Sequence, residues 1–270
     1  MAKEYLQTIS REIRKDILKM HSEVDASHIA SSFSCVDILV ALYFKIMRIN
    51  PKNQNWCDRD RFILSKGHAA SALYAVLAKK KLFNPVLLKN YCRSKAALPG
   101  HVTKNSLPFI EVSTGSLGHG LSIGAGMAFA AKYDKLKHRI FVLLSDGECN
   151  EGSIWEAILF SSHHRLDNLV AIIDYNKLQA FGRTEEVLNL EPFKDKWASF
   201  GWEPREVDGH DCEKIASVLS NIPFRQDKPN VIIAHTIKGK GVSFMEDNLI
   251  WHYKSPQGDD FKNASKELGA

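Results

Sequence analysis

The sequence predicts an α/β fold, a doubly wound and mostly parallel sheet with helices on both faces. Runs of apolar, largely β-branched residues, Phe141–Leu144, Leu169–Ile173 and Val231–His235, are bounded by turn residues, as parallel strands buried on both faces are. These runs alternate with segments of helical periodicity, which is how βαβ units read. A chain of 270 residues with 44% apolar content has enough material for one sizeable core.

Taken in order, Leu6, Ile9, Ile13, Ile17 and Met20 form one stripe of an N-terminal helix. Ser34, with Asp37 three residues on, reads as the cap of a helix over Val36–Met47, and Pro51 bars its continuation. Arg61–Ser65 is a short strand, Ala69–Leu77 a helix, and Ser122–Lys132 a helix of small residues. Between Phe141–Leu144 and Leu169–Ile173 lies a helix over Ser153–His163. Pro192 occupies a first helical position before Phe193–Phe200, and Trp202–Val207 is a strand. Asp211 caps a helix running through Leu219, and Val231–His235 is the last strand. Residues 1–255 are expected to form one domain, and residues 256–270 a polar, frayed tail.

Charge and composition narrow the classes. The net charge of +5 is spread along the chain, and its one tight cluster, Lys79 to Lys81, reads as a solvated helix end, so no nucleic-acid partner is expected. No segment has the roughly 18 apolar residues of a membrane span, and the N-terminus lacks the apolar core of a secretion signal. Cys35, Cys57, Cys92, Cys149 and Cys212 are odd in number and lack metal-ligand or redox spacing, which suits reduced thiols in a cytoplasmic protein.

In a parallel sheet, ligands sit beyond the carboxyl ends of the strands. Asp146 and Asn176 fall there, one crossover apart, and a carboxylate with an amide oxygen is a hard pair suited to Mg²⁺ held against phosphates. The glycines of Ser113–Leu121 precede a helix N-terminus, where backbone N–H groups favour an anion. His28, His68 and His101 each stand on a turn, and His252 lies in an aromatic cluster near Trp251 and Tyr253. One such histidine is ordinarily a surface residue, but three on three separate turns are more than that explanation expects.

Over roughly residues 5 to 255 the chain resembles the N-terminal, thiamin-diphosphate-binding half of transketolase. The likeness rests on ordered motifs: Ser65-Lys66-Gly67-His68, Pro99-Gly100-His101, Thr114 to Gly120, Asp146-Gly147 with Glu151-Gly152, Asp174-Tyr175-Asn176 and Trp251-His252. The resemblance implies that Asp146, Asn176 and the Leu178 carbonyl hold Mg²⁺, or Ca²⁺ or Mn²⁺ in its place. It implies that Gly115 and Gly147 admit the diphosphate and that Leu117 packs on the cofactor. It further implies that His68 and His252 help hold the diphosphate and line the substrate entrance, that His28 and His101 bond the hydroxyls of a sugar, and that Glu151 joins a carboxylate network at a subunit interface.

The implied reaction transfers a two-carbon glycolaldehyde unit from a ketose, free or phosphorylated, to an aldose. The second domain of a complete transketolase has no counterpart here, so the chain is expected to be one subunit of a split enzyme, in a heterotetramer with two copies of a C-terminal subunit. Ser145, Ala180, Phe181 and Ile29-Ala30 depart from the usual family residues, which opens the way to a different sugar. Alternatives are a 2-oxoacid dehydrogenase subunit, deoxyxylulose phosphate synthase, or a non-catalytic module that binds cofactor or stabilises a partner. Retention of His28, His68, His101 and His252 argues against the first.

Overall fold

The computed structural model describes residues 2–94 and 97–269. Five strands, β1 (Arg61–Leu64), β2 (Ile140–Ser145), β3 (Leu169–Tyr175), β4 (Glu203–Asp208) and β5 (Asn230–His235), form one parallel sheet in the order β1–β2–β3–β5–β4. Every residue of β2 and β3 is buried, so an apolar run without alternation is what this position demands.

Successive side chains of a strand point to opposite faces, and the core divides accordingly. Phe62, Phe141, Leu143, Val170 and Ile172 join one cluster. There they pack with α1 (Ala2–Ser22), α2 (Ile29–Ser34), α3 (Val36–Ala41), α4 (Ala70–Lys79) and α9 (Cys212–Leu219). Ile63, Val142, Leu144, Ala171 and Ile173 join the other, against α5 (Gly120–Tyr133), α6 (Gly152–His163) and α8 (Phe193–Ser199). Helices thus cover both faces, as expected, and the short α7 (Thr184–Leu188) lies between β3 and α8 in the chain. Gly124 is the close contact of α5 with the sheet: a Cβ there would lie 2.6 Å from Val142 Cγ2.

The expected helix over 36–47 is α3 continued by a π-helical turn, Leu42–Ile46. Its predicted cap is corrected. Cys35 holds the N-cap position with no side-chain bond, and the Ser34 hydroxyl donates instead to Asp174 Oδ1 at 2.6 Å, across to β3. Asp211 caps α9 as predicted, accepting from the N–H groups of Glu213 and Lys214. Pro192 stands one position earlier than predicted, at the N-cap of α8.

The expected frayed tail is a helix. In α10 (Gly258–Leu268), Ala264 and Leu268 are buried against α1, and the Glu267 carboxylate accepts from the N–H and hydroxyl of Ser243. Apolar residues at Phe261, Ala264 and Leu268 share one face, enough to seat a helix whose composition is otherwise polar. Among the described residues no helix is long and apolar enough to cross a membrane.

Candidate functional site

Beyond the carboxyl ends of β1, β2, β3 and β5 lies a cavity of about 600 Å³. Its walls include every residue expected in the site: His28, His68, His101, Gly115, Leu117, Asp146, Gly147, Glu151, Asn176, Leu178 and His252. They come from separate turns, so the parallel topology is what brings them together.

The floor is polar. Asp146 is 2% exposed, and its carboxylate accepts from the Gly147 N–H at 2.7 Å and the Lys177 N–H at 2.6 Å. Burial, and then the Asp174 carboxylate, push its pKa up to about 6. A buried carboxylate whose hydrogen-bond donors are both neutral suits a bound cation. Asn176 is oriented by donating through Nδ2 to Ser34 Oγ (3.2 Å) and Asp174 Oδ2 (3.4 Å), which leaves Oδ1 as its acceptor atom. The Leu178 carbonyl accepts from Lys238 Nζ at 2.8 Å and keeps a second lone pair. A carboxylate, an amide oxygen and a carbonyl together form an oxygen-only donor set fit for a hard divalent cation.

Beneath this set, Lys66 Nζ is ion-paired with Asp174, and both are fully buried. Asp174 also accepts from the hydroxyls of Ser34 and Thr236. The pair opposes burial strongly enough to hold the Asp174 carboxylate below its ordinary range. Lys66 and Lys238 are site residues that sequence reasoning misses, although both lie in the cavity wall. The available signals are weak: Lys66 stands inside the Ser-Lys-Gly-His motif, and Lys238 opens the Lys-Gly-Lys-Gly run. Burial and the neighbouring Lys66 charge lower Lys238 to about 8, and its ammonium also bonds the Gln179 carbonyl and His252 Nδ1.

Above the floor the four histidines gather. The His28 ring lies 5.2 Å from His68, 6.0 Å from His101 and 5.0 Å from His252, centre to centre. His28 adopts a left-handed conformation, φ 76°, which is sparsely populated by residues other than glycine and is held here by its N–H on the His252 carbonyl at 2.9 Å. Burial, then neighbouring positive groups, lower His28 to about 4, His252 to about 3 and His68 well below 6.5. All three are therefore neutral at pH 7, able to donate or accept toward hydroxyl groups.

Gly115, at φ 149°, lies against His101, where a Cβ would meet the ring at 3.2 Å. Glu151 is exposed at the N-cap of α6, on the cavity rim. Ser145 supplies a hydroxyl that accepts from the Glu148 N–H at 3.2 Å. Ala180 and Phe181 form the tip of a turn closed by the Leu178–Arg183 bridge and by the Gln179 N–H on the Gly182 carbonyl at 2.9 Å. The tip places Phe181, 83% exposed, at the cavity mouth.

The neutral histidines set an expected acid sensitivity. His21, enclosed between the Ala26 carbonyl and Ser71 Oγ, is likewise lowered to about 4 by burial. Between about pH 4 and 6.5 the unfolded chain binds protons at these positions and the native chain does not, so stability is fully present above 6.5 and falls as pH drops through that window. Fully buried His21 alone contributes about 3 kcal/mol to the loss, and the partly exposed rings less. Asp16, Asp146 and Glu148, all raised, act in the opposite sense, while His138 is also lowered, so the histidines outnumber these carboxylates five to three. The melting temperature of the cofactor-free chain is expected to fall steadily from pH 7 to 4.5; a flat profile would contradict neutral, buried histidines.

Comparison with known proteins agrees with this geometry. The family profile described as "Transketolase, thiamine diphosphate binding domain" matches residues 6–270. The chain is 43% identical over 268 residues to one subunit of the apulose-4-phosphate transketolase of Phocaeicola vulgatus, covering 99% of this chain and 95% of that protein. It is 43% identical over 263 residues to "6-deoxy-6-sulfo-D-fructose transketolase subunit SqwG" of Clostridium sp., covering 97% and 96%. The solved transketolase of Campylobacter jejuni superposes with a TM-score of 0.91 at 30% identity, covering 100% of this chain and 43% of that one. The chain thus spans nearly the whole length of these separate-subunit relatives and about two fifths of the solved transketolase.

Proposed function

The chain belongs to the transketolase family as its thiamine diphosphate-binding domain, and on that premise we propose that it is the cofactor-binding subunit of a two-chain transketolase. The enzyme moves a two-carbon ketol unit from a ketose or ketose phosphate to an aldose. The observation that carries this is the joining, in one cavity, of the Asp146–Asn176–Leu178 oxygen set with four histidines, three of them neutral at pH 7. Mg²⁺ is assigned to that set, and the diphosphate to the space between it, Gly115, Gly147 and Lys238. Thiamin diphosphate, when bound, supplies the nucleophilic carbon that cleaves the bond beside the ketose carbonyl.

The chain's own residues then position and exchange protons. His28 and His101 hold sugar hydroxyls, while His68 and His252 face the entrance and are placed to accept or return a hydroxyl proton. Leu117 closes the cavity on the cofactor's apolar side. The partner is a separate chain carrying the rest of a transketolase, in an assembly of two copies of each. Two exposed apolar areas support this: Ile123, Phe129, Leu159 and Phe160 on α5 and α6, and Phe181, Val187 and Leu188 at the mouth, where the Tyr253 hydroxyl bonds the Ala180 carbonyl. Glu151, exposed on the cavity rim, is assigned to the interface. A cytoplasmic location fits the five cysteines, which are unpaired.

The purified chain with thiamin diphosphate and Mg²⁺ is expected to give no ketol transfer, and mixing with its partner subunit to give turnover that saturates at equal amounts of the two. Assaying transfer from a panel of ketose phosphates against partner concentration checks this. Full turnover by the single chain would refute the two-chain reading.

A further inference from the structure

Glu148 is 0% exposed and follows Gly147 in the turn after β2. Its Oε1 accepts from the Ser65 hydroxyl and from the Gly118 N–H at 2.9 Å, and its Oε2 accepts from the Ser145 N–H at 3.3 Å. Each donor belongs to a different wall of the cavity. Ser65 precedes Lys66 and His68, Gly118 follows Gly115 and Leu117, and Ser145 precedes Asp146. All three partners are neutral, so the buried carboxylate is satisfied by hydrogen bonds in place of an ion pair.

The glycine-rich loop is gripped at one residue from both sides. The Gly118 N–H goes to Glu148, and its carbonyl accepts from Ser153 Oγ at 2.8 Å. Gly118 has φ 86°, and a Cβ there would lie 2.6 Å from Ser153 Oγ and 2.8 Å from Glu151 Cβ. The loop therefore cannot slide over α6 without breaking the Glu148 contact. We infer that Glu148 is a positioning residue, whose carboxylate fixes residues 115–120 over the end of β2 and so sets the separation between the loop and Asp146. The inference rests on reading this cavity as a thiamin diphosphate site. Its requirement for a carboxylate-like acceptor follows from Oε1 serving two donors at once, which no aliphatic residue can replace.

Hydrogen exchange of the full chain, followed by mass spectrometry, tests the positioning without any cofactor. In Glu148→Ala, residues 113–121 are expected to exchange about tenfold faster, the loss equivalent to one hydrogen bond to a charged group, while β3 and β5 keep their protection. Glu148→Gln keeps an oxygen where Ser65 and Gly118 converge, and is expected to restore exchange to within about threefold of the parent. Titration calorimetry of the complex with the partner subunit, using thiamin diphosphate and Mg²⁺, should follow the same order, the affinity about tenfold weaker for Ala and nearly restored for Gln.

Wild-type exchange of residues 113–121 in Glu148→Ala overturns the inference, and so does an affinity unchanged by that substitution. Equal loss of protection throughout the sheet would make Glu148 a general stabilising residue and also overturn it. If Glu148→Ala does not fold, Ser65→Ala serves instead, with about threefold faster exchange confined to the loop, and wild-type exchange there is equally fatal. A complex of the parent chain with its partner subunit that takes up no thiamin diphosphate defeats the cofactor reading of the cavity, while loop exchange still decides the role of Glu148.

Discussion

Replacing Asp146 by Ala is expected to weaken Mg²⁺-dependent binding of thiamin diphosphate at least about a hundredfold, more than loss of an outer-shell group would cost a metal site. Asp146 is the one carboxylate of the oxygen set, and it is buried beside Asp174, whose own charge is already taken up by Lys66. Without a cation the surroundings disfavour the ionised form of Asp146, which is why its pKa rises to about 6. Binding of a divalent cation relieves that penalty. Asp146→Asn separates charge from shape: it retains an acceptor for one of the Gly147 and Lys177 N–H groups but cannot supply the negative charge. Both variants should therefore lose metal-dependent affinity by titration calorimetry, and Asn should keep more of the thermal stability. Unchanged affinity in either would place the metal elsewhere.

The largest stability effect is expected from Asp174→Ala. It removes the partner of a fully buried ammonium and leaves Lys66 with only the Ser31 carbonyl at 3.2 Å, while the Thr236 hydroxyl loses its acceptor and the Ser34 hydroxyl keeps only Thr236 Oγ1 at 3.2 Å. Breaking one side of a buried ion pair typically costs about 3–5 kcal/mol. Asn176 also loses a contact that orients its amide, so cofactor affinity should fall together with stability. The double variant Asp174→Ala, Lys66→Met removes the stranded charge and should recover part of the loss. Chemical denaturation of the three proteins checks this; a double variant no more stable than Asp174→Ala would mean that the charge is not the source of the cost.

The strands and the residues at their ends are legible in the sequence because they obey local rules. Apolar runs flanked by Asp-Gly or by Asn mark buried parallel strands, and the topology then delivers Asp146 and Asn176 to one place. The four histidines can be picked out near turns, but only the ordered motifs of a known family join them into one site. Lys66 and Asp174 stand inside the ordered motifs and Lys238 opens a Lys-Gly-Lys-Gly run, but nothing local marks them or Glu148 as buried site residues. Their partners lie far along the chain, and a lysine or a glutamate in a sequence does not announce that it is buried. Ser34 misleads for the same reason: its spacing to Asp37 imitates a capping motif, but its hydroxyl is committed to Asp174, 140 residues away. The C-terminal helix escapes notice because three well-spaced apolar residues suffice to dock it onto α1, too few to lift the composition of the segment.

The ion pair under the cavity joins positions 108 apart in sequence, and Ser34 reaches β3 across 140. Contacts of such span form only after the intervening loops have closed, and the entropy of that closure falls early in folding while its reward comes late. A fragment that lacks either side of these contacts therefore lacks the buried polar support beneath the cavity. Thiamin diphosphate can stabilise the finished sheet by mass action, but it cannot template the order in which the strands assemble.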